Sequence, residues 1–343
     1  MRLAGVRSHF LSNQTLRKFA RRLFLFLGIV LSLYFGFQWY QINAPKSQSP
    51  TIRITSVQGN IPQEGKWNPK NKDAIINVYE GLSRFVPAEG KPDLIVWPEA
   101  AFPGYFNLDS ERVRILRLVK ELEVPILLGS PHLENEIPYN SAYLVDHESP
   151  VVERYDKIRL VAFGEYVPWR FLFGPLGLER FAYSLGVSDF EAGKDVKVFS
   201  LEEKHRLSVL ICFEDTFPFL ARRSVEKGAE FLVVITNDAW FGKSAAPYQH
   251  LQASVFRAIE NGVPVIHTAN TGVSAFIDRT GKVVDRVKDQ QGSDIFIAGG
   301  LIRPVELGSG KTFYRKWGYQ FPIYCLVFVL VSFIFSWKVK GDL

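Results

Sequence analysis

The sequence predicts an α/β protein in which layered sheets are flanked by helices. In the middle of the chain, segments with strand-like patterns alternate with segments of helical periodicity, an order typical of such folds. The chain has 343 residues, which is enough for one large domain with a sizeable core. Both ends are much more apolar than the middle, so we expect the α/β domain between them, at residues 51–318.

The N-terminal region joins a basic cluster to an apolar run. The basic residues before position 23 are Arg2, Arg7, Arg17, Lys18, Arg21 and Arg22. The net charge is +6, so the rest of the chain is close to neutral without them. Residues 23–40 are uncharged and about long enough to cross a bilayer as a helix. We expect a cytoplasmic segment at 1–22, an uncleaved transmembrane helix at 23–40 and a linker at 41–50. A cleaved signal peptide and a buried core helix are the alternatives.

A second apolar run lies near the C-terminus, at residues 321–337, and Lys338 and Lys340 follow it. This run predicts a second transmembrane helix at 319–338 and a short tail at 339–343. By the positive-inside rule, basic residues at both ends place both termini in the cytoplasm. The α/β domain would then lie on the outer side of the membrane.

Strands and helices alternate through the middle of the chain. Strand patterns cover residues 51–58, 93–97, 125–128, 206–211, 231–235 and 263–268. Helical patterns cover residues 68–85, 109–122, 217–227 and 246–261. Active sites of α/β folds form at strand ends, so polar residues at those positions are candidates for a functional site.

Composition and spacing exclude several classes of function. The two cysteines, Cys212 and Cys325, are far apart, which excludes a disulfide framework and a cysteine-based zinc site. The six histidines lack metal-ligand spacing, and we interpret His205, His250 and His267 as structural or substrate-adjacent. Neither a Gly-rich phosphate loop nor a nucleic-acid-binding module is recognisable. We therefore expect no metal, no other cofactor and no nucleic-acid partner.

Three residues at or near predicted strand ends carry candidate chemistry. Glu99 follows a buried strand and a proline, a position that suits a general base. Lys157 could stabilise a thiolate and a developing oxyanion. Cys212 closes an apolar strand, and a strand-to-helix turn of this kind presents a nucleophile to a cleft. Together a base, a cation and a thiol follow the logic of an activated nucleophile.

Each of these residues also has an ordinary structural explanation. Taken singly, Glu99 could cap a helix, Lys157 could be a solvated loop lysine, and Cys212 could be a buried structural cysteine. Glu165 could position Lys157 or a substrate amine, or could form a simple salt bridge. Glu214 and its acidic neighbour at position 215 favour a functional Cys212, because apolar core strands rarely end in two acids.

At these residues the chain resembles the nitrilase (carbon–nitrogen hydrolase) superfamily and, within it, the apolipoprotein N-acyltransferase family. Glu99, Lys157 and Cys212 match the triad motifs of the superfamily in order and approximate spacing. The closer match rests on segments at residues 155–157, 163–168, 212–214, 236–242, 249–252, 257–260, 269–274 and 310–314. The resemblance covers roughly residues 51–301.

The resemblance implies a nitrilase-like α-β-β-α sandwich with a Glu-Lys-Cys triad, flanked here by the two transmembrane helices. It implies an enzyme of the bacterial inner membrane whose catalytic domain, residues 51–318, faces the periplasm. The implied reaction belongs to lipoprotein maturation. A fatty acyl group moves from a phospholipid through a Cys212 thioester to the N-terminal amine of a lipoprotein.

Supporting roles follow from the same resemblance. Glu165 and Glu214 would support the triad or the incoming amine. Trp240 and Phe241 lie in a segment that resembles an active-site loop of the family, where they would bind acyl chains or pack the loop against the core. The apolar residues between positions 169 and 178 favour a lipid-binding transferase, although a core helix or loop explains them equally well.

Two other functions stay open at the level of the sequence. A membrane-tethered amidase or nitrilase would use the same residues with water in place of the amine. A non-catalytic module that binds lipid or lipoprotein is the third interpretation, and the intact Glu99, Lys157 and Cys212 speak against it.

Overall fold

The computed structural model describes residues 21, 24–25, 28–36, 49–85, 90–147, 152–168, 189–201, 203–308 and 311–341, the last range with side chains up to residue 331. The chain divides into two units, Met1–Ser49 and Pro50–Leu343. In the first unit, residues 28–36 are helical. The second unit contains both sheets and the helices that pack on them.

Within the described part of the second unit, twelve strands form two six-stranded sheets. In spatial order, the first sheet consists of β12 (Gly299–Glu306), β1 (Thr51–Gln58), β2 (Leu94–Val96), β3 (Ile126–Glu134), β4 (Ile137–Val145) and β5 (Glu153–Asp156). The second consists of β11 (Val283–Arg286), β10 (Ala275–Ile277), β9 (Val265–Ala269), β8 (Phe231–Thr236), β7 (His205–Ile211) and β6 (Val198–Leu201). Strands β1 to β3 and β7 to β9 run parallel, whereas the outer strands pair antiparallel.

Helices connect the parallel strands. The α-helices of the second unit are α1 (Lys72–Arg84), α2 (Arg112–Leu122), α3 (Pro218–Glu226), α4 (Ala246–Asn261), α5 (Phe313–Lys316) and α6 (Phe321–Gly341). Short 3-10 helices cover Pro69–Asn71, Cys212–Thr216, Asp238–Phe241 and Gly318–Gln320. Helix α4 shows how local sequence sets these bounds. Pro247 lies in its first turn, where a backbone N–H has no helical partner, and Gly262 ends it with a left-handed φ of +66°.

Three buried clusters show how the layers stack. The first lies between the two sheets and includes Leu127, Phe199 and Phe231. The second lies between the first sheet and helices α1 and α2, and the third between the second sheet and helices α3 and α4. A hydrogen bond of 2.8 Å between the Ser56 and Thr268 hydroxyls joins the facing sheets. The layers are therefore α-β-β-α, which confirms the predicted fold class of the α/β domain.

Burial on two faces explains the composition of the central strands. All six residues of β8, with sequence FLVVIT, are buried because the other sheet covers one face and helices cover the other. Such strands are continuous apolar runs, since neither face meets water. The predicted central strands and four helices are all present, with bounds shifted by a few residues. The antiparallel strands β4, β5, β6, β10, β11 and β12 were not predicted; four of them have only three or four residues, and β4 and β12 mix apolar with polar residues, glycine and proline.

The prediction of two transmembrane helices, at residues 23–40 and 319–338, is not confirmed. Among the helices that the structure describes, none is both long and apolar enough to cross a membrane. Only part of the first segment is described, and side chains of the second are described only to residue 331. Several other segments that the sequence singled out lie outside the described residues. They are positions 1–20 and 22 of the basic N-terminal segment, the linker up to residue 48 and the apolar run at 169–178.

Candidate active site

The candidate residues meet where the edges of the two sheets face each other. Cys212 directly follows β7 and Asn237 directly follows β8, and these strands are parallel neighbours. Glu99 lies three residues beyond β2 of the other sheet, and Lys157 directly follows β5. The backbone N–H of Asn237 donates to Glu99 Oε2 at 2.9 Å, so a residue of the second sheet binds the carboxylate of the first.

Glu99, Lys157 and Glu165 form one buried group. The Lys157 Nζ lies 3.4 Å from Glu99 Oε1 and 2.9 Å from Glu165 Oε1. Asn140, on β4, donates from Nδ2 to both carboxylates, at 2.8 Å to Glu99 and 2.7 Å to Glu165. The other oxygen of Glu165 accepts the backbone N–H of Val161 at 2.8 Å. Each carboxylate is thus held by several donors, and the ammonium lies between the two.

The charge of Lys157 is kept by its neighbours. The side chain is 1% exposed. Burial by itself would lower its pKa, but Glu99, Cys212 and Glu165 outweigh burial and raise the pKa of Lys157 above its ordinary value. The ammonium therefore persists at neutral pH, where it can stabilise a developing negative charge.

Close packing against the backbone of Gly129 fixes the position of Glu99. Gly129, on β3, passes so close that a Cβ at this position would lie 2.6 Å from the Glu99 Cα. Its backbone N–H donates to the Pro98 carbonyl at 3.2 Å. A side chain at position 129 would displace the carboxylate, so this glycine is part of the positioning of Glu99.

Cys212 adopts a strained backbone conformation and is largely protonated at rest. Its φ is +52°, in the left-handed region that non-glycine residues rarely occupy. Burial, together with the negative charge of Glu99, raises the pKa of the Cys212 thiol to about 12, although Lys157 and His250 oppose the shift. Thiolate is therefore scarce at neutral pH, and the sulfur could act as a nucleophile only if a neighbouring base took its proton.

Glu214 ties the lysine segment to the cysteine segment. Its fully buried carboxylate accepts from the Tyr155 hydroxyl at 2.9 Å and from the backbone N–H groups of Ile158, Arg159 and Ile211 at 2.7, 3.1 and 2.8 Å. Burial raises its pKa even though these backbone hydrogen bonds oppose the shift. Ile158 follows Lys157, and Ile211 precedes Cys212. One side chain thus fixes the relative position of the ammonium and the thiol.

The two aromatic residues predicted to bind substrate lie on the surface beside this group. Trp240 and Phe241 belong to the 3-10 helix Asp238–Phe241, which directly follows Asn237. Their side chains are 70% and 49% exposed, and Phe213, next to Cys212, is 42% exposed. Trp240 is thus mostly in solvent, whereas Phe241 and Phe213 are half-buried, and all three keep apolar surface that a ligand could cover.

A charged network beneath Cys212 was not recognised from the sequence. The imidazole of His250, on α4, lies between two fully buried carboxylates, with Nδ1 2.9 Å from Asp238 and Nε2 3.1 Å from Asp215. Its Nε2 also lies 3.2 Å from the Cys212 carbonyl oxygen. Burial would lower the pKa of His250, but the two aspartates raise it well above its ordinary value. The sequence interpretation of His250 as structural or substrate-adjacent did not identify these partners, because they are distant in sequence.

His267 completes this network as a neutral group. Its Nδ1 lies 2.9 Å from the Ser254 hydroxyl, and the same hydroxyl donates to Asp215 at 2.7 Å. Burial and the nearby positive charge of His250 lower the pKa of His267 to about 4. The imidazole is thus uncharged at neutral pH.

One group of three potential metal ligands occurs among the described residues. Ligand atoms of Asp238, His250 and His267 lie within 4.8 Å of one another, a grouping that sequence spacing did not indicate. Both nitrogens of His250 are already engaged by carboxylates, and its raised pKa means that it is protonated. An imidazolium has no free lone pair for a metal, so the chemistry of this group fits an internal ion network.

A second buried lysine, Lys66, was also missed. Its side chain is 1% exposed, and Nζ donates to the backbone carbonyl of Glu99 at 3.5 Å. Burial lowers its pKa to about 8, although Glu99 acts in the opposite direction. Lys66 lies in a loop between β1 and α1, where its sequence gives no signal that distinguishes it from a solvated lysine.

We expect His250→Gln to weaken both the fold and the reactivity of Cys212. Removal of the cation leaves Asp215 and Asp238 unpaired and buried, which should lower the free energy of unfolding by about 3–5 kcal/mol. It also removes a charge that favours the Cys212 thiolate, so alkylation of Cys212 by iodoacetamide should become slower. Urea denaturation and peptide mass spectrometry of the alkylated protein measure the two effects.

The control for this variant is His205→Gln. His205 is a partly exposed histidine that lies 3.8 Å from Glu230, far along the sheet from Cys212. Its loss should change both quantities little. An unchanged alkylation rate in His250→Gln would show that His250 does not act on the thiol.

Comparison with known proteins agrees with the fold and indicates the family. The carbon-nitrogen hydrolase family matches residues 53–299, a range that includes Glu99, Lys157 and Cys212. The apolipoprotein N-acyltransferase of Geobacter metallireducens is 38% identical over 323 residues, covering 92% of this chain and 59% of that protein. The enzyme of the same name from Haemophilus influenzae is 33% identical over 287 residues, covering 81% and 53%. The chain thus spans between half and three fifths of the length of these relatives.

Solved structures share the fold at lower sequence identity. An amidase from Nesterenkonia sp. AN1 superimposes with a TM-score of 0.55 at 19% identity, covering 78% of this chain and 96% of the amidase. A CN-hydrolase superfamily protein from Xanthomonas campestris superimposes with a TM-score of 0.53 at 19% identity, covering 74% and 90%. The match over residues 53–299, the four-layer sandwich and these structural relatives agree, and the chain belongs to the carbon-nitrogen hydrolase family.

Proposed function

We propose that this chain transfers a fatty acyl group from a phospholipid to the N-terminal amine of lipoproteins, with Cys212 as the nucleophile. The observation that carries the proposal is the 38% identity to an apolipoprotein N-acyltransferase over 92% of the chain. The buried group of Glu99, Lys157 and Glu165 next to Cys212 supports it chemically. We assign the Glu-Lys-Cys triad to Glu99, Lys157 and Cys212 on the same grounds.

In the first half of the reaction, Glu99 takes the thiol proton as Cys212 Sγ attacks the carbonyl carbon of a phospholipid ester. The carbonyl oxygen becomes an oxyanion, which the ammonium of Lys157 stabilises. Collapse of this intermediate breaks the ester C–O bond, and the leaving lysophospholipid oxygen takes the proton back from Glu99. The product is a thioester on Cys212, and the carboxylate of Glu99 is regenerated.

In the second half, the uncharged α-amine of a lipoprotein attacks the thioester carbonyl. Glu99 takes a proton from the nitrogen, and Lys157 again stabilises the oxyanion. Collapse breaks the C–S bond and forms the amide, and the Cys212 sulfur recovers its proton from Glu99. In this scheme, Glu165 orients Lys157 through the 2.9 Å contact, and Glu214 fixes the backbone on both sides.

The exposed aromatic side chains supply an apolar surface for the acyl chain. Phe213 is the neighbour of Cys212, and Trp240 and Phe241 follow Asn237, whose backbone contacts Glu99. We propose that Trp240 and Phe241 contact the acyl chain of the donor or of the thioester. Aromatic and aliphatic groups in such a contact gain free energy by removing apolar surface from water.

Hydrolysis of an amide or nitrile is the second candidate. The structural relatives include an amidase from Nesterenkonia sp. AN1 with acrylamide added at its active-site cysteine, but at 19% identity they share only the fold with this chain. The same base, cation and thiol would act, with water in place of the amine. The exposed aromatic side chains and the identity to N-acyltransferases favour the transferase.

A membrane location follows from the proposed substrate. We propose that residues 23–40 and 319–338 anchor the chain in the bacterial inner membrane, with residues 51–318 in the periplasm and both termini in the cytoplasm. An alkaline phosphatase reporter fused after residue 318 should be active, because that enzyme needs an oxidising compartment. A second reporter, of a kind that works only in the cytoplasm, should be inactive when it is fused at the same position. Activity of that second fusion would contradict this orientation.

We expect Cys212 to carry an acyl group after incubation with phospholipid. Intact-protein mass spectrometry of the wild type should show a mass increase of one acyl chain that hydroxylamine removes. Cys212→Ala should lack it, because the thioester cannot form, whereas Cys325→Ala should keep it. Equal labelling of Cys212→Ala and the wild type would remove Cys212 as the nucleophile. A reactive thiol that gains no acyl group would shift the assignment to the hydrolase.

We expect Lys157→Met to slow thioester formation by a factor of about 10²–10³, because the oxyanion loses its charged partner. Mass spectrometry of the acyl-enzyme in samples quenched at successive times measures this rate. Lys157→Arg keeps the positive charge and should recover part of the lost rate. Lys70→Met removes an exposed lysine and should form the thioester as fast as the wild type. A normal rate in Lys157→Met would show that another group stabilises the oxyanion.

A further inference from the structure

A cationic cavity lies outside the candidate active site, where the segment after β12 packs against the ends of α3 and α4. Its volume is about 750 Å³, and its lining includes Lys311, Arg315, Lys316 and the acid Glu226. The same lining includes the aromatic side chains of Phe313 and Tyr319. The cavity thus combines positive charge with apolar surface.

The three cations of this cavity lack carboxylate partners in the part of the chain that the structure describes. Glu226, the acid of the lining, is engaged by Arg222 at 2.8 Å. The nearby Glu260 is engaged by Arg257 at 2.9 Å. Unpaired cations that face one cavity repel each other, and an anion between them removes that repulsion.

The segment that carries the cations is held in place. The Thr312 hydroxyl donates to the Glu260 carbonyl at the end of α4 and accepts the backbone N–H of Arg315 at 3.0 Å. Arg315 is half-buried, so its position is fixed by its surroundings more than that of a solvated arginine. The guanidinium of Arg222 stacks 4.1 Å from the centre of the ring of Tyr319, a lining residue, and so helps to hold that ring in place.

The surface beside the cavity is apolar. Phe313, Trp317 and Phe321 are 70%, 48% and 65% exposed. Helix α6 continues this surface, since its large apolar side chains from Phe321 to Val331 are all at least 45% exposed. A small free anion would fill the cavity and leave this surface in water. An amphiphile covers both, with its headgroup in the cavity and its chains along α6.

We propose that this cavity binds the phosphate-bearing headgroup of an anionic phospholipid. A net negative headgroup fits better than a zwitterionic one, because the acid that could pair with a choline or ethanolamine group already pairs with Arg222. The site is separate from the proposed donor site. His250, beside Cys212, and Glu260, beside Thr312, lie ten positions apart on α4, or about 15 Å along the helix. The inference therefore does not depend on the proposed reaction.

Native mass spectrometry of the full chain tests the proposal. The parent protein carries Cys212→Ala, which prevents covalent acylation. It is mixed in neutral detergent with equimolar phosphatidylglycerol and phosphatidylcholine of matched acyl chains, and the detergent is removed in the mass spectrometer. The parent protein should retain more phosphatidylglycerol than phosphatidylcholine. The triple variant Lys311→Gln, Arg315→Gln, Lys316→Gln should lose that preference by a factor of at least about ten and keep its retention of phosphatidylcholine.

A matched triple variant controls for overall charge. Lys70→Gln, Arg117→Gln and Lys282→Gln remove the same charges from exposed positions outside the lining of the cavity and should keep the preference. An equal loss in this control would overturn the proposal, because it would show that overall charge alone attracts the lipid. If the cavity triple variant does not fold, Lys311→Gln alone, at an exposed position, should weaken phosphatidylglycerol retention about fivefold, and an unchanged preference would overturn the proposal.

Inorganic phosphate distinguishes the lipid from a free anion. Excess phosphate should compete weakly with phosphatidylglycerol, because it gains nothing from the apolar surface of α6. If phosphate alone binds as tightly as the lipid and displaces it fully, the cavity is a phosphate site and the lipid assignment is wrong.

Discussion

The buried ammonium of Lys157 is the constraint on which the site depends. A charge that is 1% exposed is tolerated only when opposite charges and hydrogen bonds replace its water. Glu99 and Glu165 provide those charges, and Asn140 bridges the two carboxylates. These residues come from four segments of the chain, so the fold must be complete before the cation can be buried. Their mutual attraction then holds the edge of the first sheet in one arrangement.

The thiol belongs to the other sheet, and its placement needs a second connection. Glu214 provides it, since its carboxylate binds the backbone N–H groups of Ile158, next to Lys157, and of Ile211, next to Cys212. The left-handed backbone at Cys212 ends β7 and turns the chain into the 3-10 helix that carries Glu214. The position of the thiol is thus set by backbone hydrogen bonds more than by the packing of its own side chain.

The electrostatics of the resting site keep the thiol protonated. Burial and Glu99 disfavour the thiolate, while Lys157 and the His250 network favour it. A cysteine in this balance is protected from random oxidants and electrophiles, because thiolate is the reactive form. In the proposed reaction, attack by sulfur on an acyl carbon and proton transfer to Glu99 therefore occur together. Whether an amine or water completes the reaction depends on what the apolar surface around Trp240 admits.

The sequence by itself determined the layered fold class and the identity of the three central residues. Patterns of apolar residues carry that information, because strands buried on both faces must be continuous apolar runs, as β8 is. Positions at or near strand ends identified Glu99, Lys157 and Cys212 as candidates, with Glu165 and Glu214 as neighbours of interest, and the resemblance then matched the three to triad motifs. These features are local, and each can be recognised within a short stretch of residues.

Tertiary structure alone decided which groups meet and in which charge state. Asn140 lies on a strand that was not predicted, and Lys66 differs from a surface lysine only in its burial. His250 becomes an imidazolium because Asp215 and Asp238, 35 and 12 residues away in sequence, approach it from two sides. The cationic cavity likewise forms where the segment after β12 meets the ends of α3 and α4. Burial and charge pairing are properties of three-dimensional neighbours, and one-dimensional spacing does not contain them.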